Sequence, residues 1–218
     1  MVDSKNILKI ISFDVDGTLV DLDYNNLIWF KEIPELVAKK KKISFEKSLK
    51  YVYEEYTKLG EHNLNWYDIN YWITHFRLTA SPEKIFEKYE SQVKIFPEVI
   101  PLLEKLKKNF MLIVITAMPR EFLIPKMKKL EKYFTFAFSA LSDFKELKNS
   151  EIYSKISKTL KVVPEQILHI GDHWEFDYLA AQKAGMKVVY LDRSNTKEGK
   201  FVIHNLGEVK KIIKDMNL

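Results

Sequence analysis

The chain alternates between short runs dominated by apolar residues and longer segments in which apolar residues recur every three or four positions. Leu8 to Phe13, Phe110 to Ile115, Gln166 to Ile170 and Lys187 to Leu191 are runs of the first kind. Five or six residues with no consistent polar face predict strands buried on both sides, as in a parallel sheet. Phe134 to Ala140 predicts a third short strand between the second and fourth, and Phe201 to His204 a short sixth. The segments between them carry helical spacing. Pro97 to Leu106, a stretch from Met118-Pro119-Arg120 onward, one capped by Ser150 and carrying Ile152, Ile156 and Leu160, one through Leu179 to Gly185, and Leu206 to Met216 each predict a helix.

Between the first and second strands the pattern stays helical from Leu27 to about Gln92, after a polar stretch from Asp21 to Asn26 that predicts a loop. Ile33, Leu36 and Val37 mark one helix, ending in Lys39 to Lys42. Ser44 is placed to cap a second that runs through Leu49, Val52, Tyr53 and Tyr56 to Gly60. Asn65 or Asp68 starts a third, and Ser81-Pro82 opens a fourth with a cap and a first-turn proline. An insertion of about 70 residues is too long for an ordinary connection. The element order therefore predicts an α/β fold with right-handed crossovers. Its core is three-layered, mainly parallel and Rossmann-like, formed by residues 1–20 and 96–218, and residues 21–95 form a separate helical unit.

Composition narrows the chemistry. With 218 residues, 46% hydrophobic content and no low-complexity tract, the chain can bury a full core. It has no cysteine, which excludes disulfides, thiolate zinc sites and cysteine nucleophiles, so any metal is held by oxygen or imidazole. A net charge of +5 mildly favours an anionic substrate, but the lysines and glutamates are interspersed. Lys39 to Lys42 reads as a solvated helix end that complements the dipole rather than a nucleic-acid patch. The N-terminal residues lack a signal-peptide cleavage site, and no run approaches the roughly 18 apolar residues of a membrane span. The expectation is a cytoplasmic protein with no nucleic-acid or membrane partner.

The candidate chemistry begins where the first strand ends. Asp14 and Asp16 are two residues apart, so in an extended chain both point the same way, at the carboxyl edge of a sheet. Two neighbouring carboxylates repel unless a cation or a proton intervenes. The pair reads as a metal site, as a nucleophile beside a protonated acid, or as a solvated turn.

The full string Asp14-Val15-Asp16-Gly17-Thr18-Leu19-Val20 after an apolar strand resembles the first motif of the haloacid dehalogenase (HAD) superfamily of phosphohydrolases, in particular its phosphoglycolate-phosphatase-like members with an inserted helical cap. The resemblance implies that Asp14 takes up a phosphoryl group and that Asp16 protonates the leaving oxygen and then activates water. Thr116, closing the second strand with Ala117 after it, matches the second motif and would contact the phosphoryl oxygens. The family's lysine falls imperfectly on Phe144 to Asn149, where Lys148 is the first choice and Lys145 the second. Gly171-Asp172 followed by Asp177 matches the fourth motif, which makes Asp172 a magnesium ligand and Asp177 a supporting acid. Asp14 and the Asp16 carbonyl would complete the protein's share of the metal shell. Phe176 departs from the asparagine often found there. The segment 21–95 would be the cap that closes over the site.

Trp66, Tyr67, Tyr71, Trp72, His75, Phe76 and Arg77 offer a substrate pocket, but aromatics at helical spacing read first as the core of a small bundle. His169 reads as a core histidine, His173 as a loop residue near the site, and Arg120 as a secondary anion contact outside the catalytic set. The function implied is a Mg²⁺-dependent phosphatase acting on a small phosphorylated metabolite such as phosphoglycolate, a sugar phosphate or a nucleotide. A mutase keeps the same motifs. A dehalogenase lacks the second aspartate, and a silent binding protein would not need Asp14, Asp16, Thr116, Asp172 and Asp177 together. Oligomeric state is not encoded in any of these patterns.

Overall fold

The computed structural model describes residues 7–215, so the predicted helix residue Met216 lies outside the described part. A six-stranded sheet, all parallel, is built from β1 (Ile10–Phe13), β2 (Met111–Thr116), β3 (Phe136–Ser139), β4 (Ile167–Gly171), β5 (Lys187–Leu191) and β6 (Val202–Ile203), in the order β3-β2-β1-β4-β5-β6. The chain works outward from β1 to β3, then returns to the other side of β1 for β4. That reversal makes the carboxyl end of β1 the switch point of the sheet, where such folds open a crevice.

Alternation along the strands divides the core in two. Ile11, Phe13, Leu112, Val114, Leu168 and Ile170 face one side, where α6 (Val99–Leu106), α7 (Arg120–Met127) and α10 (Val209–Asp215) cover them. Ile10, Ile113, Ile115 and Ile167 face the other, under α8 (Ser150–Thr159) and α9 (Ala180–Lys183). This is the three-layer, parallel α/β core that the apolar runs predict. Several expected boundaries move, two of them at helix starts. The cap of α8 is Asn149, whose side chain accepts from the N–H groups of Glu151 and Ile152, so Ser150 is already helical. Ahead of α9, winding starts at Trp174 as a π-helical stretch, because His173 Nδ1 accepts from the Phe176 N–H.

The segment between β1 and β2 is helical, through α1 (Asp23–Leu27), a π-helical stretch Ile28–Glu32, α2 (Ile33–Lys41), α3 (Phe45–Leu59), α4 (Ile69–His75) and α5 (Pro82–Tyr89). Ser44, Asp68 and Ser81 cap α3, α4 and α5 with their side chains. The predicted polar loop at 21–26 is instead largely α1: Tyr24 and Ile28 are buried, and their packing overrides weak local propensity. Tyr67, Trp72 and Phe76 belong to an aromatic core with Trp29 and Tyr56, as the bundle reading expects, and Arg77 is exposed. That core also takes in Met118, Phe122 and Leu141 from beyond β2, with Trp29 stacked on Phe122 at 5.2 Å between ring centres. The chain leaves and re-enters the sheet side by side: the Asp21 N–H donates to Lys94 O (3.0 Å), and the Phe96 N–H to Leu19 O (3.1 Å).

Candidate active site

β1 ends at Phe13, and the chain then turns tightly, with the N–H groups of Leu19 and Val20 both donating to Val15 O at 2.8 and 3.0 Å. Gly17 makes the turn possible. Its φ is +71°, and a Cβ there would lie 2.1 Å from Asp172 Oδ2, so only glycine lets β1's loop reach β4's. Thr18 Oγ1 donates to Asp172 Oδ1 (3.0 Å), and Arg193 ties the turn down by donating to the carbonyls of Gly17 (2.9 Å) and Thr18 (2.8 Å).

Asp14 sits at the end of β1 with Lys148 Nζ 2.6 Å from its Oδ1. Lys148 also donates to Asp177, and its side chain is only 3% exposed, so its ammonium is held between the two acids out of water. Lys145, the second choice from sequence, is exposed and in the left-handed region at φ 57°, and no hydrogen bond joins it to these acids. Asp177 is held from several sides. The His173 N–H donates to its Oδ2 (2.9 Å), and His169 Nε2 lies 3.1 Å from its Oδ1. A carboxylate only accepts, so the His169 proton is on Nε2 and Nδ1 accepts from Ser12 Oγ at 2.9 Å. The core histidine expected from sequence is thus also a support for Asp177.

Asp16 does not share these partners, contrary to the extended-chain expectation. Because the strand has already ended, its Oδ1 meets Lys126 Nζ (2.5 Å) and Asn25 Nδ2 (3.0 Å) instead. Both residues were missed by sequence reasoning: Lys126 is one lysine in a lysine-rich chain, and Asn25 falls in a polar stretch. Among the described residues, the carboxylate oxygens close enough to hold one ion are those of Asp14, Asp172 and Asp177, all within 4.8 Å of one another. The Asp16 side chain is not among them, which leaves its main-chain carbonyl as its possible contribution.

Thr116 is buried at the end of β2, and its Oγ1 accepts from the Met118 N–H (3.2 Å), so its own proton stays available to a ligand. Ala117 follows, also buried. Arg120 is engaged elsewhere, with its guanidinium on the Asp143 carboxylate at 2.8 Å. Next to Asn25 a cavity of about 180 Å³ opens, lined by Trp29, Phe30, Tyr56, Trp66 and Met118.

The electrostatics are those of a site with more negative than positive charge. Four buried or half-buried carboxylates, Asp14, Asp16, Asp172 and Asp177, face the ammonium groups of Lys126 and Lys148. Burial pushes Asp14 well above the usual carboxylate range, with Asp177 and Asp172 adding to it against the pull of Lys148. Burial and Asp177 push Asp172 up to about 7. Burial would raise Asp177 too, but Lys148 and His169 overcome it and hold the group well below its ordinary value. Two carboxyl groups resisting ionisation beside a third that is fixed as an anion make an all-oxygen donor set suited to a hard divalent cation such as Mg²⁺.

Gly171 provides a test of how tightly this cluster is packed. A Cβ there would lie 2.3 Å from Asp177 Cγ. Gly171→Ala is expected to displace Asp177 and to destabilise the fold by about 2 kcal/mol or more in urea melts. A cost under about 0.5 kcal/mol would mean that Asp177 moves freely.

Residues 8–185 match the family model for haloacid dehalogenase-like hydrolases. Over 99 residues the chain is 30% identical to a GMP/IMP nucleotidase of Escherichia coli, covering 45% of this chain and 43% of that one. The chain thus aligns with less than half the length of that curated relative. Among solved structures, a HAD phosphatase from Thermococcus onnurineus superposes with a TM-score of 0.84 at 25% identity, covering 94% of this chain and 98% of the other. A 2-haloacid dehalogenase from Pseudomonas syringae shares the fold at a TM-score of 0.60 and 24% identity, over 96% and 99% of the two chains. The match at 8–185 spans most of the chain, including both Asp-bearing strand ends, and the protein belongs to the haloacid dehalogenase-like hydrolase family.

Proposed function

We propose that the protein is a Mg²⁺-dependent phosphomonoesterase that acts on a small phosphorylated metabolite through an aspartyl-phosphate on Asp14. The observation that carries this reading is the convergence of Asp14, Asp172 and Asp177 at the switch point of the sheet, with Lys148 bound to the first and the last of them. Asp14 and Asp172, with the Asp16 carbonyl and with Asp177 behind them, would hold the cation, which supplies positive charge against the phosphoryl oxygens. Thr116 Oγ and the Ala117 N–H donate to those oxygens, and Lys148 offsets the charge shared between nucleophile and phosphoryl group. In the first step an Asp14 oxygen bonds to phosphorus while the bond to the leaving oxygen breaks, and Asp16 gives that oxygen its proton. In the second, water attacks phosphorus, Asp16 takes the water's proton, and the Asp14–phosphorus bond breaks to release phosphate. Residues 21–95 act as the cap and residues 1–20 and 96–218 as the catalytic core. The cavity beside Asn25, walled by both segments, is where the leaving group enters.

The test is phosphate release from an aryl phosphate, phosphoglycolate, a sugar phosphate, GMP and IMP, with Mg²⁺ and with EDTA. The nucleotides are included because the Escherichia coli relative is a GMP/IMP nucleotidase. Turnover that EDTA removes supports the proposal. Absence of turnover and of Mg²⁺ binding refutes it.

Metal binding also has a signature in stability. Asp172 has a folded pKa raised to about 7, so its contribution favours the folded state below the unfolded value near 4 and is lost as pH rises through 7. Asp14 acts in the same direction. His169, kept neutral by burial, acts in the opposite one, so the informative quantity is the Mg²⁺-induced change in Tm rather than Tm itself. That change is expected to be larger at pH 8 than at pH 5.5, because protons compete for Asp14 and Asp172. Calorimetry at both pH values checks it, and an equal shift would place the ion elsewhere. Among the described residues, no helix is long and apolar enough to cross a membrane.

A further inference from the structure

Lys126 is unusual for its surroundings. Its side chain is 0% exposed, on a helix that otherwise buries Phe122, Leu123 and Met127, and burial pulls its pKa down. Methionine would fill the same space without the cost of desolvating an ammonium, which is several kcal/mol. Among the described residues, the carboxylate it meets is Asp16, 110 residues away in sequence. Asn25 reaches the same oxygen, Oδ1, from the helical segment on the opposite side. The other oxygen, Oδ2, is buried and makes no hydrogen bond among the described residues, and neither does the buried hydroxyl of Tyr24, whose ring lies 5.5 Å from Lys126 Nζ. A buried acceptor left unpaired costs about 1 to 3 kcal/mol, so a carboxylate with one oxygen doubly held and the other free is not what packing alone would select.

We infer that Lys126 is a positioning residue for Asp16: with Asn25 it fixes Oδ1 and so presents Oδ2 as the single oxygen that exchanges a proton with the leaving group. The inference rests on the phosphomonoesterase reading. In the first step the proton on Oδ2 moves to the bridging oxygen as the phosphorus–oxygen bond breaks, leaving the carboxylate anchored through Oδ1. Lys126 acts through its contact with Asp16 and not on the reacting atoms themselves. Its effect is the orientation of the group that does.

Such a role has a readout that a merely structural lysine lacks. A leaving group that is already a stable anion, such as dinitrophenolate, needs no proton, whereas an alkoxide does. For wild-type enzyme, kcat/KM is expected to vary little between dinitrophenyl phosphate and an alkyl phosphate. Lys126→Met is expected to lose roughly 10²-fold or more on the alkyl ester and less than about 10-fold on the dinitrophenyl ester, within the range attributed to general acid catalysis. Asn25→Ala should bend the series the same way by a smaller factor. It also serves as the second variant if Lys126→Met does not fold, which thermal melting would reveal. Equal losses on both esters, or none on either, in the variants that fold would overturn the inference and leave Lys126 a packing residue. A wild type that releases phosphate from no ester overturns the functional reading itself, and this inference with it.

Discussion

Asp14→Asn is expected to abolish phosphate release, by roughly 10⁴-fold or more, while the protein stays folded. An amide cannot accept the phosphoryl group, so the two-step path is lost rather than slowed. Stability should hold, for a reason visible in the site. Burial, Asp177 and Asp172 already disfavour the ionised form of Asp14 more than Lys148 favours it, so a neutral side chain of the same shape removes repulsion as well as attraction. Without metal, the variant's Tm is expected at or above that of wild type. With Mg²⁺, the cation-induced rise should shrink, since one of the three clustered acids is gone. Residual turnover within about 10-fold of wild type would exclude Asp14 as the nucleophile.

Lys148→Met is expected to be the most destabilising substitution in the site. It leaves the Asp177 carboxylate buried without its cation, and Asp14 without its hydrogen-bond donor, which costs about 3 to 5 kcal/mol for a pair broken from one side. For a chain of this size that corresponds to a fall in Tm of roughly 10 °C, together with loss of activity. Adding Asp177→Asn should recover part of the stability and none of the activity, because it removes the orphaned charge but not the need for a cation beside Asp14. Lys145→Met should move Tm little, since that side chain is exposed. Should the two lysine variants behave alike, the buried ion pairs would contribute no net stability.

The contrast between these lysines shows which parts of the site the sequence made legible. Strand positions were readable because a doubly buried parallel strand has no polar face, and β5 runs from Lys187 to Leu191 as expected. The acids at the ends of β1 and β4 were readable because local order puts Gly-Asp or Asp-x-Asp at a strand's end. Lys148 was reachable only through the family resemblance, as the first choice within Phe144 to Asn149, and the structure brings its ammonium to Asp14. Lys126 had no local signal at all. Its partner is 110 residues away, and its burial follows from the packing of α7 under Tyr24. The same limit explains the segment at 21–26, which is polar in sequence yet helical because Tyr24 packs edge-on against Phe122, a residue nearly a hundred positions later. The two carboxylates of Asp14 and Asp16 part company because alternation holds only while the strand lasts, and β1 stops at Phe13.

The side-by-side exit and return of the chain at Val20 and Ile95 carries an evolutionary consequence. A segment whose ends already meet imposes little strain on its host, and the entropy of closing a loop grows only as the logarithm of its length, about 0.6 kcal/mol for each doubling. Helices between those two points can be gained, lost or exchanged at small thermodynamic cost, while the acids at the ends of β1 and β4 stay where the sheet puts them. What limits such drift is the aromatic seat on Phe122. A replacement segment must bring its own counterpart to Trp29 or leave an apolar face of the core open to water. Lineages derived from this scaffold should therefore vary freely in the length of the inserted stretch and sparingly in the residue that covers Phe122.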